Sequence, residues 1–267
     1  MQKTARTTIE TATPAELRRA IAAGEWTMHT VGLAAGYTQA NLVVLPAAYA
    51  YDFLLFCVRN PKPCPLLDVT DPGSPVPMFA APGADLRSDL PRYRVYERGH
   101  LVEEPTDMTH RWQDDSVAFL LGCSYTFEPA LLRAGIRLRH VEQCTNVPMF
   151  RTSRECTPAG RFHGPLVVSM RPVRADQVAR AVEVTSRYER THGTPVHIGD
   201  PRGLGITDLN RPDWGEPVSV ENGEIPVFWA CGVTPQAVAL AADVPLMITH
   251  APGHMFITDI PTSRLES

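Results

Sequence analysis

The sequence has no apolar segment approaching the roughly 18 residues of a membrane-spanning helix. It also has no basic stripe for a nucleic-acid backbone, since its formal net charge is -4 and its charged residues are dispersed. The first ten residues contain no apolar core of a signal peptide. These absences argue against membrane and nucleic-acid partners. We therefore expect a soluble cytoplasmic protein that acts on a small molecule.

Common cofactor and nucleophile motifs are missing as well. Gly203-Leu-Gly-Ile lacks the spacing of a dinucleotide fingerprint, and neither a phosphate-binding Gly-Lys-Ser/Thr loop nor a Gly-x-Ser-x-Gly elbow occurs. No two of the six cysteines stand at the two-residue interval of a zinc knuckle. We predict reduced thiols rather than a disulfide framework, no metal and no cofactor.

Strand-to-turn junctions are the main feature that is present. With 44% apolar residues in 267, the chain can bury a full core. Apolar strands run into small polar residues at 116–124, 226–236 and 246–254. Because α/β proteins bind ligands where strands end, this pattern favours an α/β fold with a site at these junctions.

Residues 124–190 follow a different order, with a helix, three strands and a second helix. The strands are expected at 139–143, 147–152 and 162–170. This order indicates a two-layer α+β module. We predict a three-layer α/β domain with a mixed sheet, formed by 1–123 and 191–267, that carries 124–190 as an insertion.

Upstream, the sequence gives several local signals. Thr13-Pro-Ala-Glu16 is a capping box at a helix start, and Pro46 opens an apolar helix. Residues 32–42 are rich in small, amide and hydroxyl side chains, among them Asn41, a candidate substrate contact. Residues 70–89 are rich in proline, glycine and aspartate, which is typical of a surface loop.

The turn at 122–128 holds a thiol, hydroxyls and a carboxylate. Cys123 is a candidate nucleophile or proton carrier if a helix N-terminus or a histidine lowers its pKa, and Ser124 and Glu128 are candidate helpers. The simpler alternative is that Cys123 packs in the core while Ser124 and Glu128 stabilise the helix start.

The turn at 231–234 has a similar composition. Cys231 follows a strand, Gly232 and Val233 offer backbone N–H groups to an oxyanion, and Thr234 is expected to cap a helix. Two cysteines at two strand ends also suit proton transfer at an amino-acid α-carbon. Structural thiols are the alternative for this pair.

Three histidines and several arginines complete the candidate site. His197, His250 and His254 each lie beside glycine or proline at a strand end, where one can act as general acid or base or brace a loop. Pro252 and Gly253 prevent His250 and His254 from forming a helical metal motif. The candidate clamps for a substrate carboxylate are Arg59, Arg92, Arg94 and Arg151.

Seven ordered segments span nearly the whole chain. They are Gly36-Tyr-Thr-Gln-Ala-Asn-Leu42, Asp52-Phe-Leu-Leu-Phe-Cys-Val-Arg-Asn-Pro-Lys62, Gly122-Cys-Ser-Tyr-Thr-Phe-Glu128, Val168-Ser-Met-Arg-Pro172, Pro195-Val-His-Ile-Gly-Asp-Pro201, Pro226-Val-Phe-Trp-Ala-Cys-Gly-Val-Thr-Pro-Gln236 and Ile248-Thr-His-Ala-Pro-Gly-His-Met255. Together they resemble the D-glutamate cyclase family, whose bacterial members are mostly called hydro-lyases.

The resemblance implies a three-layer α/β domain with a smaller α+β domain. It also implies a carbon–oxygen lyase that converts D-glutamate to 5-oxo-D-proline and water. Under this hypothesis the 231–233 turn holds the anion, His250 or His254 carries the proton, and Ser124 or Glu128 assists.

Two other functions stay open at this level. A two-cysteine racemase or epimerase would use Cys123 and Cys231. A small-acid binding protein would bind its ligand at the same strand-to-turn junctions without turnover. A homo-oligomer is expected only on general frequency.

Overall fold

The computed structural model describes residues 12–266, so the prediction about the first ten residues lies outside the described range. These residues form two β-sheets with helices against them. The helices are α1 (Pro14–Ala22), α2 (Ala47–Arg59), α3 (Glu128–Arg133), α4 (Arg139–Glu142), α5 (Val178–Ser186) and α6 (Thr234–Ala242). The predicted α/β class is confirmed. Among these residues, no helix has both the length and the apolar character needed to cross a bilayer.

The larger sheet has the order β2-β5-β1-β10-β3-β4, with β11 also paired to β1. Its strands are β1 (Tyr37–Pro46), β2 (Leu66–Val69), β3 (Tyr93–Glu97), β4 (His100–Glu103), β5 (Ser116–Gly122), β10 (Met247–His250) and β11 (Phe256–Pro261). All pairings described in this sheet are antiparallel, whereas the prediction has a mixed sheet.

β1 is the central strand of this sheet, and it was not predicted as a strand from the sequence. Both faces of the strand are covered, so it shows no alternation of apolar and polar residues. Val43 and Leu45 pack in one core cluster with Phe53 of α2 and Val238 of α6. Helices therefore cover this face of the sheet.

The opposite face of β1 packs against irregular chain. Leu42 and Val44 share a second core cluster with Ala80, Ala81 and Leu86. The segment 70–89, predicted as a surface loop, thus covers the sheet at several positions. The segment contributes small alanines and one leucine to this face, and composition alone does not reveal that role.

The smaller sheet has the order β6-β7-β9-β8. Its strands are β6 (Met149–Glu155), β7 (Pro165–Arg174), β8 (His197–Ile198) and β9 (Glu224–Ala230). Residues of α3 and α5 pack with Trp229 on one face, and Phe228 packs with irregular chain on the other. Neighbouring residues of β9 thus point to opposite faces.

The first two helix starts agree with the sequence, but two other predictions are wrong. The Thr13 N–H donates to Glu16 Oε2 at 2.8 Å, and the Thr13 hydroxyl accepts from the Glu16 N–H, as a capping box requires. Residues 139–142 form helix α4 rather than a strand. The smaller sheet also includes β8 and β9, so it continues beyond residue 190, because β9 pairs with β7 across about fifty residues of chain.

Phe53 is the centre of an aromatic cluster beneath the larger sheet. Its ring lies edge-on to Phe119 at 4.9 Å and to Phe162 at 5.2 Å, and the side chain is fully buried. We expect Phe53→Ala to lower the free energy of unfolding by about 3–5 kcal/mol, measured by urea denaturation. Tyr51→Ala, on the exposed face of the same helix, should leave it unchanged. Equal effects of the two changes would contradict this assignment of the core.

Candidate active site

An open cleft of about 460 Å³ lies between loops of the two sheets. One wall consists of His29, Arg92, Arg94, Glu104 and the 251–254 loop, and the other consists of Asn146 and residues 213–216. The lining brings basic and acidic side chains together around open space. This is the arrangement expected for a small polar ligand.

Arg92 directly precedes β3 and Arg94 is its second residue, and both line the cleft. Arg94 pairs with Glu104 and also donates to Gln236 at 3.3 Å. Arg92 Nε is buried and has no hydrogen-bond partner among the described residues. Arg92 also lines the cleft, where its guanidinium supplies positive charge.

His254 has the chemistry of a base. Its Nδ1 lies 3.0 Å from the Pro252 carbonyl, which can only accept, so Nδ1 carries the proton and Nε2 keeps a lone pair. Burial lowers the pKa of His254, and the nearby Arg92 and His29 lower it further, against the opposite effects of the Pro252 carbonyl and Glu104. The ring is thus neutral at neutral pH.

Gly253 has the backbone that this loop requires. Its φ is +82°, and a Cβ would lie 2.7 Å from Asn146 Nδ2. The Asn146 amide oxygen accepts from the Tyr125 hydroxyl, and the Asn146 N–H donates to Glu216 Oε2 at 2.8 Å. The close approach of Gly253 to the Asn146 side chain therefore brings the two walls together.

His250 lies behind the cleft rather than in its lining. It is 1% exposed, and its Nδ1 is 3.2 Å from the Leu42 backbone nitrogen. Burial, with His254 and Arg94 acting in the same direction and the Leu42 backbone opposing, lowers the pKa of His250 to about 4. The ring stays neutral and holds the end of β10 against β1.

A second polar group is completely enclosed. Glu128 Oε1 lies 2.9 Å from His140 Nε2 and accepts from Arg171 Nε at 3.1 Å. Burial alone would raise the pKa of Glu128, but His140 and Arg171 outweigh it and lower the pKa to about 2. Arg171 also donates to Ser124 and Ser169. Ser124 and Glu128 are therefore committed to Arg171.

Cys123 and Cys231 lie in one apolar cluster next to this polar group. Burial raises the pKa of Cys123, as do the nearby Cys231 and Glu128, although the Tyr125 N–H opposes the shift. Burial raises the pKa of Cys231 to about 11, partly opposed by the Val233 N–H and Arg171. Both thiols are thus protonated at neutral pH, which disfavours nucleophilic chemistry.

The 231–234 turn is held by packing. Asn41 Nδ2 donates to the Gly122 carbonyl at 2.8 Å, and a Cβ on Gly232 would lie 2.0 Å from the same Asn41 nitrogen. Thr234 does not cap α6 as predicted. Its hydroxyl donates to the Cys231 carbonyl at 2.7 Å, and the N-cap residue of α6 is Val233, which makes no side-chain cap hydrogen bond.

Three further predicted residues also lie outside the cleft lining. Arg59 is exposed and donates to the Pro158 carbonyl at 2.5 Å. His197 packs on Phe228, on the face of the smaller sheet opposite Trp229. Arg151 lies over the Trp214 ring at 5.0 Å and so supports the cleft wall from outside. The predicted turns therefore do not form one site. Some of their residues border the cleft, and others lie in a buried cluster.

The sequence comparisons agree with the resemblance. A family model described as D-glutamate cyclase matches residues 117–259. The chain belongs to the D-glutamate cyclase family. A protein of Rubrobacter xylanophilus is 67% identical over 92% of this chain and 95% of its own, and one of Stutzerimonas stutzeri is 62% identical over 94% and 95%. Both bear the name "Putative hydro-lyase".

About half of the residues that line the cleft of this family member were not predicted from the sequence. His29, Asn146 and the 213–216 segment come from irregular chain, without a strand that ends in polar residues. The one available signal was Trp214-Gly215-Glu216, an aromatic residue beside glycine and a carboxylate in a loop. It does not differ from ordinary surface chain.

The Glu128–Arg171 pair predicts a large stability effect. Glu128→Gln leaves the buried Arg171 charge against a neutral amide, so we expect a loss of about 3–5 kcal/mol in the free energy of unfolding. Urea denaturation measures it. Glu183→Gln, which breaks the exposed pair with Arg180, is the matched control and should have no measurable effect. A similar loss in both variants would show that burial does not set the strength of the pair.

The raised thiol pKa values predict an order of alkylation. With iodoacetamide at neutral pH, the exposed Cys144 should react well before Cys123 and Cys231. Mass spectrometry of peptides from briefly treated native protein gives the order. Early labelling of Cys123 or Cys231 would contradict it and would favour the two-thiol mechanism.

Proposed function

We propose that the chain is a hydro-lyase that cyclises D-glutamate to 5-oxo-D-proline and water in the 460 Å³ cleft. One observation carries the proposal. Arg92 and the neutral His254, whose Nδ1 bonds to the Pro252 carbonyl, line the same open cleft. Family membership supports the lyase class, and the cleft supports a substrate with both charges.

Binding uses opposite charges on the two walls. Arg92 binds the substrate α-carboxylate through a charge-assisted hydrogen bond, which contributes about 1.5–3 kcal/mol. Glu216 has one oxygen bound to the Asn146 N–H, and its other oxygen faces the substrate ammonium. Arg94, which also pairs with Glu104, lines the cleft beside Arg92 and donates to the γ-carboxylate.

The reaction moves two protons from nitrogen to oxygen. His254 Nε2 takes one proton from the ammonium, and the free amine attacks the γ-carboxyl carbon to form the C–N bond. The imidazolium returns that proton to a carboxyl oxygen, and His254 then carries a second proton from nitrogen to the same oxygen. The C–O bond breaks and water leaves. Holding amine and carboxyl together supplies several kcal/mol of the barrier.

The assay is the formation of 5-oxoproline from D-glutamate by the purified protein, followed by chromatography. His254→Gln should lower kcat about 100- to 10,000-fold because the proton carrier is lost. Arg92→Met should raise KM about tenfold to a hundredfold because a charged hydrogen bond is lost. His163→Gln, an exposed histidine outside the cleft lining, is the control and should change neither.

The pH dependence has a definite sign. His254 acts as a base only when neutral, and its pKa is lowered. The rate should therefore stay high as the pH is lowered through ~6.5, the ordinary histidine pKa, and should decrease only as the pH is lowered further.

Absence of 5-oxoproline from wild-type protein would overturn the proposed substrate. Deuterium incorporation at the α-carbon that is lost in Cys123→Ser or Cys231→Ser would instead support the racemase alternative. Thermal stabilisation by D-glutamate without either reaction would support a binding protein.

A further inference from the structure

A buried glutamine connects parts of the cleft without lining it. Gln236 is 1% exposed and stands in the first turn of α6. Its Nε2 donates to the His250 carbonyl at 2.6 Å. Its Oε1 accepts from Arg94 Nη1 at 3.3 Å and from the Tyr96 hydroxyl at 3.5 Å. One side chain thus joins a cleft arginine to the start of the loop that carries His254.

The partners fix the orientation of this amide. The His250 carbonyl can only accept and the Arg94 guanidinium can only donate, so nitrogen and oxygen of Gln236 cannot exchange places. An apolar residue here would leave the His250 carbonyl with only the Thr249 hydroxyl, at 3.0 Å, and would remove the acceptor that Gln236 offers to Arg94 Nη1. A buried group that loses its partner costs about 1–3 kcal/mol.

The loop beyond His250 depends on this anchor. The Ala251 N–H donates to the Arg92 carbonyl at 2.9 Å, and the His254 N–H donates to the Ala251 carbonyl at 2.9 Å. Both hydrogen bonds involve residues that directly follow His250. The Gln236 bond therefore fixes the end of the loop from which Arg92 and His254 are held together.

We propose that Gln236 is a positioning residue for the reaction proposed above, holding Arg94 and the 250–254 loop in the geometry of the cleft. It touches no substrate. The inference rests on the proposed function for its effect on turnover, and on the hydrogen bonds alone for its effect on His254.

The first test compares two buried amides. Gln236→Met should raise the KM for D-glutamate, because Arg94 loses an anchor, and should lower kcat, because the loop moves. Asn60→Leu is the matched control, since Asn60 also bridges two chain segments through its amide, to Phe56 and Thr157, far from the cleft lining. It should lower the melting temperature without changing KM or the pH profile. Gln236→Glu keeps the acceptor for Arg94 and should restore KM more than kcat.

The second test needs no turnover. The His254 ring is followed by NMR during a pH titration of wild-type and Gln236→Met protein. The groups that face His254 are Arg92, His29, Glu104 and, from β10, His250. When the loop loosens, water reaches the ring, so the His254 titration should move to higher pH in Gln236→Met and stay in place in Asn60→Leu.

An unchanged His254 titration in Gln236→Met would overturn the positioning role, whether or not the wild-type protein turns over D-glutamate. Equal shifts in both variants would also overturn it, since they would reflect general loosening. If the His254 titration shifts only in Gln236→Met and the wild-type protein has no cyclase activity, the positioning role is supported and D-glutamate is excluded as the substrate.

Discussion

The buried ion pair of Glu128 and Arg171 joins the two sheets. Glu128 follows the turn that leaves β5 of the larger sheet, and Arg171 lies in β7 of the smaller sheet. The guanidinium is also enclosed by the Phe127 and Trp229 rings, at 5.3 and 5.4 Å. An apolar pair of the same size would often be as stable, but it would not require one register. Because the cleft has one wall from each side, its geometry requires that register.

Burial has opposite consequences for the two sets of candidate residues. Removal from water disfavours the charged form of any group. For His254 this lowers the pKa and produces a neutral base, whereas for Cys123 and Cys231 it raises the pKa and suppresses the thiolate. The same physical effect therefore activates the histidine and silences the thiols, which is why we assign the chemistry to the cleft.

The sequence predicted elements that have local signals. The capping box of α1, the helix after Pro46 and the strands that end near Gly122 and Ala230 follow from residue order alone. β1 was missed because a strand covered on both faces has no alternation, and Asn41 and Gln39 within it are buried polar residues bonded to backbone carbonyls. The extent of the smaller sheet was missed because strand pairing over long distances leaves no local pattern. Only about half of the cleft lining was predicted, for the same reason. Arg92 and His254 lie close to strands in the sequence, whereas Trp214 reaches β6 only through a distant bridge to Met149.

The turns with the densest motifs are explained by packing as much as by chemistry. A Cβ on Gly122 would lie 1.9 Å from the Arg190 carbonyl oxygen, and one on Gly232 would lie 2.0 Å from Asn41. Such close approaches require glycine whatever the protein catalyses. A motif at a strand end therefore identifies the fold of this family more directly than its substrate. The substrate is selected by side chains that face open space, and in the described chain several of these belong to loops that no motif marks. Assignments of substrate within the family accordingly depend on the geometry of the cleft, where His254 and Arg92 meet the 213–216 segment.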